Sequence, residues 1–298
     1  MRNFIELLAF HDERKIKSWL YHGFVLCEAG QFSLLTNELL KAKTESNCRL
    51  DKRIHFSTLT SKSTGSSKTR TALRWVKLFR EDLYKSMWFY FFGINLTNID
   101  YEFFGSGDKD SKIYNRFFEI GLFSACRYFF DTTTEDIEIS QIFSEKRDLP
   151  KDDPFLLHAP YKINKRETNV VVKSKRIFQV ASTVSKEKIC PKYVHVINLV
   201  DVLTGAFSQV IDYTTNKRGC TEVADKMFPI CRRLTENPYN KNSLYYKRYA
   251  MSFFPKKRIS RSVVMHYGIK PAENQFYYNR KLRLHQPKCI PGFEQLIG

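Results

Sequence analysis

No two cysteines in this chain are spaced as C-x-x-C, and the seven (Cys27, Cys48, Cys126, Cys190, Cys220, Cys231 and Cys289) are scattered and odd in number. A zinc site or a disulfide framework is therefore not expected, and reduced thiols in a cytoplasmic setting are. Long hydrophobic runs are also missing. The longest strongly apolar stretch, Met87 to Leu96, already contains Asn95 and is far too short to span a bilayer. No leader-like pattern is visible and no internal repeat, so no membrane partner is expected. There is no G-x-S-x-G, and the histidines stand in no recognisable sequence relation to Cys or Ser, which leaves serine or cysteine hydrolase chemistry without a motif. One Gly-x-Gly, Gly105-Ser106-Gly107, has no continuation and is not a nucleotide fingerprint.

Acids are the remaining shortage. The 298 residues hold 31 Asp and Glu against 49 Lys and Arg, a net charge of +18. Such an excess favours polyanionic partners, nucleic acid first and an anionic membrane surface second. The imbalance is concentrated. Residues 232–298 carry fourteen Lys or Arg and three acids, a net of +11, with eleven aromatics interleaved. Basic side chains can hold phosphates while aromatics stack on bases. Lys247, Arg248, Lys256, Lys257, Arg258 and Arg261 are the candidate nucleic-acid contacts. The aromatics of this stretch can equally pack it onto the main body. The composition shift divides the chain into residues 1–231 and a basic extension, residues 232–298, packed on or beside them.

Apolar residues make up 43% and aromatics 15% of the chain, enough for a sizeable core. Asn3 to Phe10 reads as a first strand or short helix and Ser18 to Cys27 as a second strand, with the polar His11-Asp12-Glu13-Arg14 between them. Helices are expected over Phe32 to Lys43 and Ala72 to Met87, with a Ser/Thr/Gly/Lys-rich loop at Thr60 to Thr71. Trp88 to Leu96 has the composition of a strand buried on both faces. A helix over Lys112 to Phe130 leads to an alternating strand, Ile137 to Phe143, which ends at Ser144-Glu145. Pro150 to Arg166 reads as an irregular excursion. Val170 to Val172 and Ile177 to Val184 are further strands, and Cys220 to Leu234 a helix bent or interrupted at Pro229.

The most informative stretch is Ile197 to Val210. Leu199, Val200, Leu203, Ala206, Phe207 and Val210 recur at helical spacing and form a wide apolar face, with one carboxylate, Asp201, at its edge. Asp201, Gly205 and Ser208 fall on one line, an acid followed by two small residues. That spacing leaves room beside the carboxylate for a metal ion or ligand. The alternative is an acid facing water or a lysine.

Acids thus stand at three places: Asp12 with Glu13 in the first hairpin, Glu145 at a later strand end, and Asp201 on a late helix. A hairpin, helices, further strands and a helix carrying acids in those places is the layout of an α/β RNase-H-like nuclease. The chain resembles a diverged member of a family of RNase-H-like proteins of unknown function. These begin with D-E-S-G, later carry an H/W-F-S-x-L-like segment, and close the domain with S-K and a Q-L-A-D-x-x-x-G helix. The counterparts here are His11-Asp12-Glu13-Arg14, His55-Phe56-Ser57-Thr58-Leu59, Ser185-Lys186, and Asn198-Leu199-Val200-Asp201-Val202-Leu203-Thr204-Gly205. The last keeps Leu, Asp and Gly at the family's spacing. Arg14 and Lys15 replace the Ser and Gly of the first, and Ser144-Glu145 stands where the family has D-E.

The resemblance spans residues 1 to about 230. It implies a mixed sheet flanked by helices and a nuclease that cleaves phosphodiester bonds by a two-metal mechanism in Mg²⁺ or Mn²⁺. Asp12, Glu145 and Asp201 would be the metal ligands, with Glu13 assisting and Asp131 or Asp148 as rivals of Glu145. It further implies DNA or RNA as partner and a setting in phage defence or a mobile element. A silent nucleic-acid-binding or partner-binding subunit, or a homo-oligomer, is the other expectation for the same fold.

Overall fold

A mixed seven-stranded sheet, flanked by helices, organises the α/β chain. The computed structural model describes residues 3–60, 66–81, 87–149, 153–166, 168–212, 215–236 and 248–254. The elements in chain order are β1 (Asn3–Ile16), β2 (Trp19–Glu28), α1 (Phe32–Glu45), α2 (Ser67–Glu81), β3 (Met87–Asn95), α3 (Lys109–Phe129) and β4 (Glu135–Glu145). They continue with α4 (Phe155–Asn164), β5 (Val170–Val172), β6 (Ile177–Val180), α5 (Pro191–Asp212), α6 (Arg218–Glu236) and β7 (Tyr249–Phe254). The sheet runs β5-β4-β1-β2-β3-β7, with β6 on β4 beyond β5. β1, β2 and β3 are antiparallel neighbours; β4 runs parallel to β1, and β7 parallel to β3.

β1 is longer than its apolar residues predict. The hairpin turns at Lys17 and Ser18, with Lys17 at φ 51°, and not at His11 to Arg14. The polar residues stay in the strand because β2 pairs along its length on one side and β4 on the other. Asp12 and Glu13 are therefore strand residues on successive positions, and their side chains leave opposite faces.

The two faces bury separate cores. Leu8, Phe10, Tyr21, Val25, Phe89, Phe91 and Phe143 meet residues of α1, α2, α5 and α6 on one side. Leu7, Ala9, Phe24, Leu26, Tyr90, Phe92, Ile139 and Ile142 meet α3 and α4 on the other. Covering on both faces explains why β3, Met87–Asn95, is buried at every position.

α5 lies within the first core, buried from Val194 to Ile211. It is long and apolar enough to cross a membrane, and the only such helix among the described residues, yet it is wholly enclosed by protein. Its approach to the sheet depends on Gly23, the cross-strand partner of Asp12. A Cβ on Gly23 would come within 1.8 Å of Thr204 Oγ1 on α5.

Three expectations change. The proline-containing stretch after β4 holds a helix, α4, in which Phe155, Ala159 and Ile163 are buried at helical spacing. Pro154 sits just before it, where no intrahelical donor is lost. α2 begins at Ser67, inside the expected loop, and Met87 belongs to β3. α6 runs through Pro229 to Glu236 as one helix, and β7, from the basic extension, joins the sheet beside β3.

Candidate acid site

Strand register brings the first two acids together. Phe10 pairs with Phe143 and His11 with Ser144 in parallel β1 and β4. Asp12 and Glu145 each follow by one residue on the neighbouring strands, and each bears on the other's ionisation. α5 crosses the same face and adds Asp201, whose charge bears on both. Asp12 is 4% exposed and Asp201 8%. Burial, then the charges of Asp201, Glu145 and Glu13, hold the Asp12 carboxyl well above its ordinary range. Glu145 is raised too, chiefly by burial and against the pull of Arg53. Three carboxylates with so little water between them favour a cation.

The segment between α1 and α2 supplies counter-charge. Arg53 forms an ion pair with Glu145. His55 Nε2 lies 3.5 Å from Asp201 Oδ1, and the Phe56 amide donates to Asp201 Oδ2 at 2.6 Å. Gly205 has a different task from the one its spacing suggests. A Cβ there would meet Phe56 ring carbons and Cβ at 2.2–2.6 Å, so the place beside Asp201 is filled by Phe56. Asp201 and Gly205 together seat this one residue, the first by its amide and the second by its ring. Arg14 lies 5.1 Å from the same ring. From the start of α6, the Cys220 thiol donates to Phe56 O (3.1 Å), and just before it Lys217 Nζ donates to Ser57 O (2.8 Å). The segment is held from both helices.

Glu13 points to the other face. It accepts from Tyr114 on α3 (3.0 Å) and from Arg147 Nε (3.2 Å), whose guanidinium lies 3.5 Å from the Tyr114 ring centroid. Beneath it, His11 Nε2 and His22 Nδ1 are 2.9 Å apart, and His11 Nδ1 is 3.1 Å from Ser144 Oγ. Burial keeps both imidazoles neutral, with His22 lowered to about 3. Its amide reaches back to the acid group: the Glu13 N–H donates to Asp12 Oδ1 at 2.9 Å.

Of the rivals to Glu145, Asp131 caps the turn before β4, accepting from the Thr133 amide at 3.0 Å, at the end of the sheet away from Asp12. Asp148 is exposed beyond β4. Arg248 stacks on Trp88 at 4.4 Å. Lys247, Lys256, Lys257, Arg258 and Arg261 lie outside the described residues.

Sequence reasoning missed Arg53 and did not single out His55 for a role. His55 was present as the first residue of the His55–Leu59 motif; Arg53 carried no signal. His55 Nδ1 is also 2.7 Å from Ser57 Oγ, so Ser57, His55 and Asp201 are linked in the order of a hydrolase triad. The adjacent Phe56 amide, however, is committed to Asp201 and not open to an oxyanion.

The donors of the acid group are all oxygen, which suits Mg²⁺ or Mn²⁺. Among the described residues, no three His, Cys, Asp or Glu side chains are arranged to ligate a metal as they stand. The Arg53 pair and the Phe56 amide occupy carboxylate oxygens a metal would need. No protein-family model matches the chain, and no curated protein matches it.

Proposed function

We propose that this protein is a metal-dependent nuclease with an RNase-H-like core, hydrolysing phosphodiester bonds of nucleic acid at the Asp12–Glu145–Asp201 group. The observation that carries the reading is the gathering of three carboxylates, Asp12 and Asp201 buried and Glu145 partly so, from β1, β4 and α5 at one end of the sheet. A first hairpin, a parallel strand with the second acid beside it and a late helix with the third agree with the resemblance seen in the sequence.

Asp12, Glu145 and Asp201 would hold the metal, which would activate water and stabilise the leaving oxygen. Asp12 and Glu145 supply oxygens from adjacent strands, so their separation is fixed by the sheet. Asp201 is aimed by the Phe56 amide. Glu13 supports Asp12 through its amide and is itself fixed by Tyr114 and Arg147. Arg53 pairs with Glu145, and Arg14 and Lys217 hold the Phe56–Ser57 segment beside the acids, cations suited to a phosphate backbone. The basic residues 232–298 extend that charge in sequence. A cytoplasmic setting follows from the scattered, unpaired cysteine pattern, and a part in phage defence or a mobile element from the resemblance alone.

The test is cleavage of DNA and RNA in Mg²⁺ or Mn²⁺ by wild type and Asp201→Ala. Cleavage by wild type, lost at least about a hundredfold in the variant, supports the assignment; equal cleavage by both removes it. A second reading, a silent nucleic-acid-binding or partner-binding subunit on the same fold, is favoured by the Arg53–Glu145 ion pair, which already satisfies one acid. It requires salt-sensitive binding with no metal-dependent turnover.

A further inference from the structure

Arg53 stands where the candidate site needs a cation. It reaches Glu145 from a segment whose neighbours are otherwise fixed by many contacts. Ile54, Phe56 and Leu59 are fully buried, and Phe56 is bonded to Asp201 by its amide and to Cys220 by its carbonyl. On the other side, Lys43 Nζ donates to Leu50 O (2.8 Å) and Lys52 O (2.6 Å), which fixes the backbone just before Arg53. The backbone is thus held while the long side chain spans to the acids. Its Nε is buried without a hydrogen-bond partner, so Arg53 gives up part of its own hydrogen bonding to sit there. Its side chain is 32% exposed, which leaves a route outward.

We infer that Arg53 is the resident counter-ion of the acid site. It neutralises Glu145 when no metal is bound, is displaced when a divalent cation enters, and in the displaced position meets a phosphate of the nucleic acid. The inference rests on the proposed metal site. Its chemistry is an exchange of ion pairs with no covalent change. A guanidinium on a carboxylate competes directly with a metal for the same oxygens, and the freed group is well shaped for bidentate phosphate recognition. Metal loading and substrate binding are thereby coupled through one side chain, since each removes a partner that holds the other state.

The test is a calorimetric Mn²⁺ titration of the full chain as wild type, Arg53→Gln, Arg53→Lys and Asp201→Asn, with unfolding midpoints confirming folded protein. Arg53→Gln is expected to bind Mn²⁺ about tenfold more tightly than wild type, Arg53→Lys to fall between, and Asp201→Asn to lose binding. In saturating Ca²⁺, a short oligonucleotide is expected to bind several-fold more weakly to Arg53→Gln than to wild type. Mn²⁺ binding that is equal or weaker in Arg53→Gln, while Asp201→Asn still abolishes it, overturns the role of Arg53 and leaves the metal site standing. Equal oligonucleotide affinity overturns the phosphate half. No Mn²⁺ binding by any of the four proteins overturns both the site and the inference. If Arg53→Gln does not fold, Arg53→Lys decides alone: affinity equal to wild type contradicts the exchange.

Discussion

Glu119 on α3 and the Asp12–Glu145–Asp201 group lie on opposite faces of the same sheet, and their charges are balanced in opposite senses. Glu119 is one carboxylate facing two guanidiniums, Arg116 at 3.3 Å and Arg166, whose Nε donates at 3.0 Å while its guanidinium packs 4.4 Å from the Phe123 ring. Every charge there has a partner within the chain, as a structural site requires. Across the sheet, three acids face one guanidinium and one imidazole. The fold satisfies the first site by itself and leaves the second short of positive charge. An acid excess that survives burial costs stability, and a group that costs stability is where function is sought.

The largest effect should come from breaking the balanced site. Glu119→Ala strands two arginines and should lower stability by about 3 kcal/mol in denaturant unfolding, equally with and without divalent metal. Next is Gly205→Ala. Its Cβ cannot coexist with the Phe56 ring, so a loss of about 2 kcal/mol is expected, accompanied by loss of Mn²⁺-induced stabilisation.

Asp12→Asn should act in the opposite direction. The Asp12 carboxyl is raised above its ordinary value of 3.8, so its ionisation costs stability as pH rises through the folded-state value. Removing that charge should raise stability at neutral pH in chelator, an advantage that disappears near pH 4, while Mn²⁺ no longer shifts the midpoint. A loss of stability would place this acid with Glu119 and dissolve the contrast.

The smallest effect belongs to the network under Glu13. His22 is lowered to about 3 from an ordinary 6.5, so its contribution is present above pH 6.5 and is lost as pH falls. Wild type should lose about 1 kcal/mol between pH 7 and 5.5 on this account, and His22→Gln should flatten that slope without altering Mn²⁺ binding.

Much of this was legible in the residues. The helical run from Ile197 to Val210 and its single acid located α5 and Asp201, because a buried helix shows its periodicity and a carboxylate within it stands out. The strand ending at Glu145 was equally plain. Asp12 was found, but as a turn residue, since polar residues inside a strand end are indistinguishable from a turn until the neighbouring strand is known. α4 was hidden by its prolines. Gly205 was assigned to open space, whereas its partner is Phe56, 149 positions away; a close approach leaves no local pattern. Arg53 was invisible for the same reason: it is one basic residue among 49, and only the fold sets it against Glu145.

The Asp12–Glu145–Asp201 group is proposed as a divalent-cation site, with Arg53 seated in it when no metal is bound. Anomalous diffraction from crystals soaked in Mn²⁺ tests it most directly. A peak is expected among these three carboxylates with the Arg53 side chain turned away from Glu145; no peak there, with Arg53 still paired to Glu145, rules the site out.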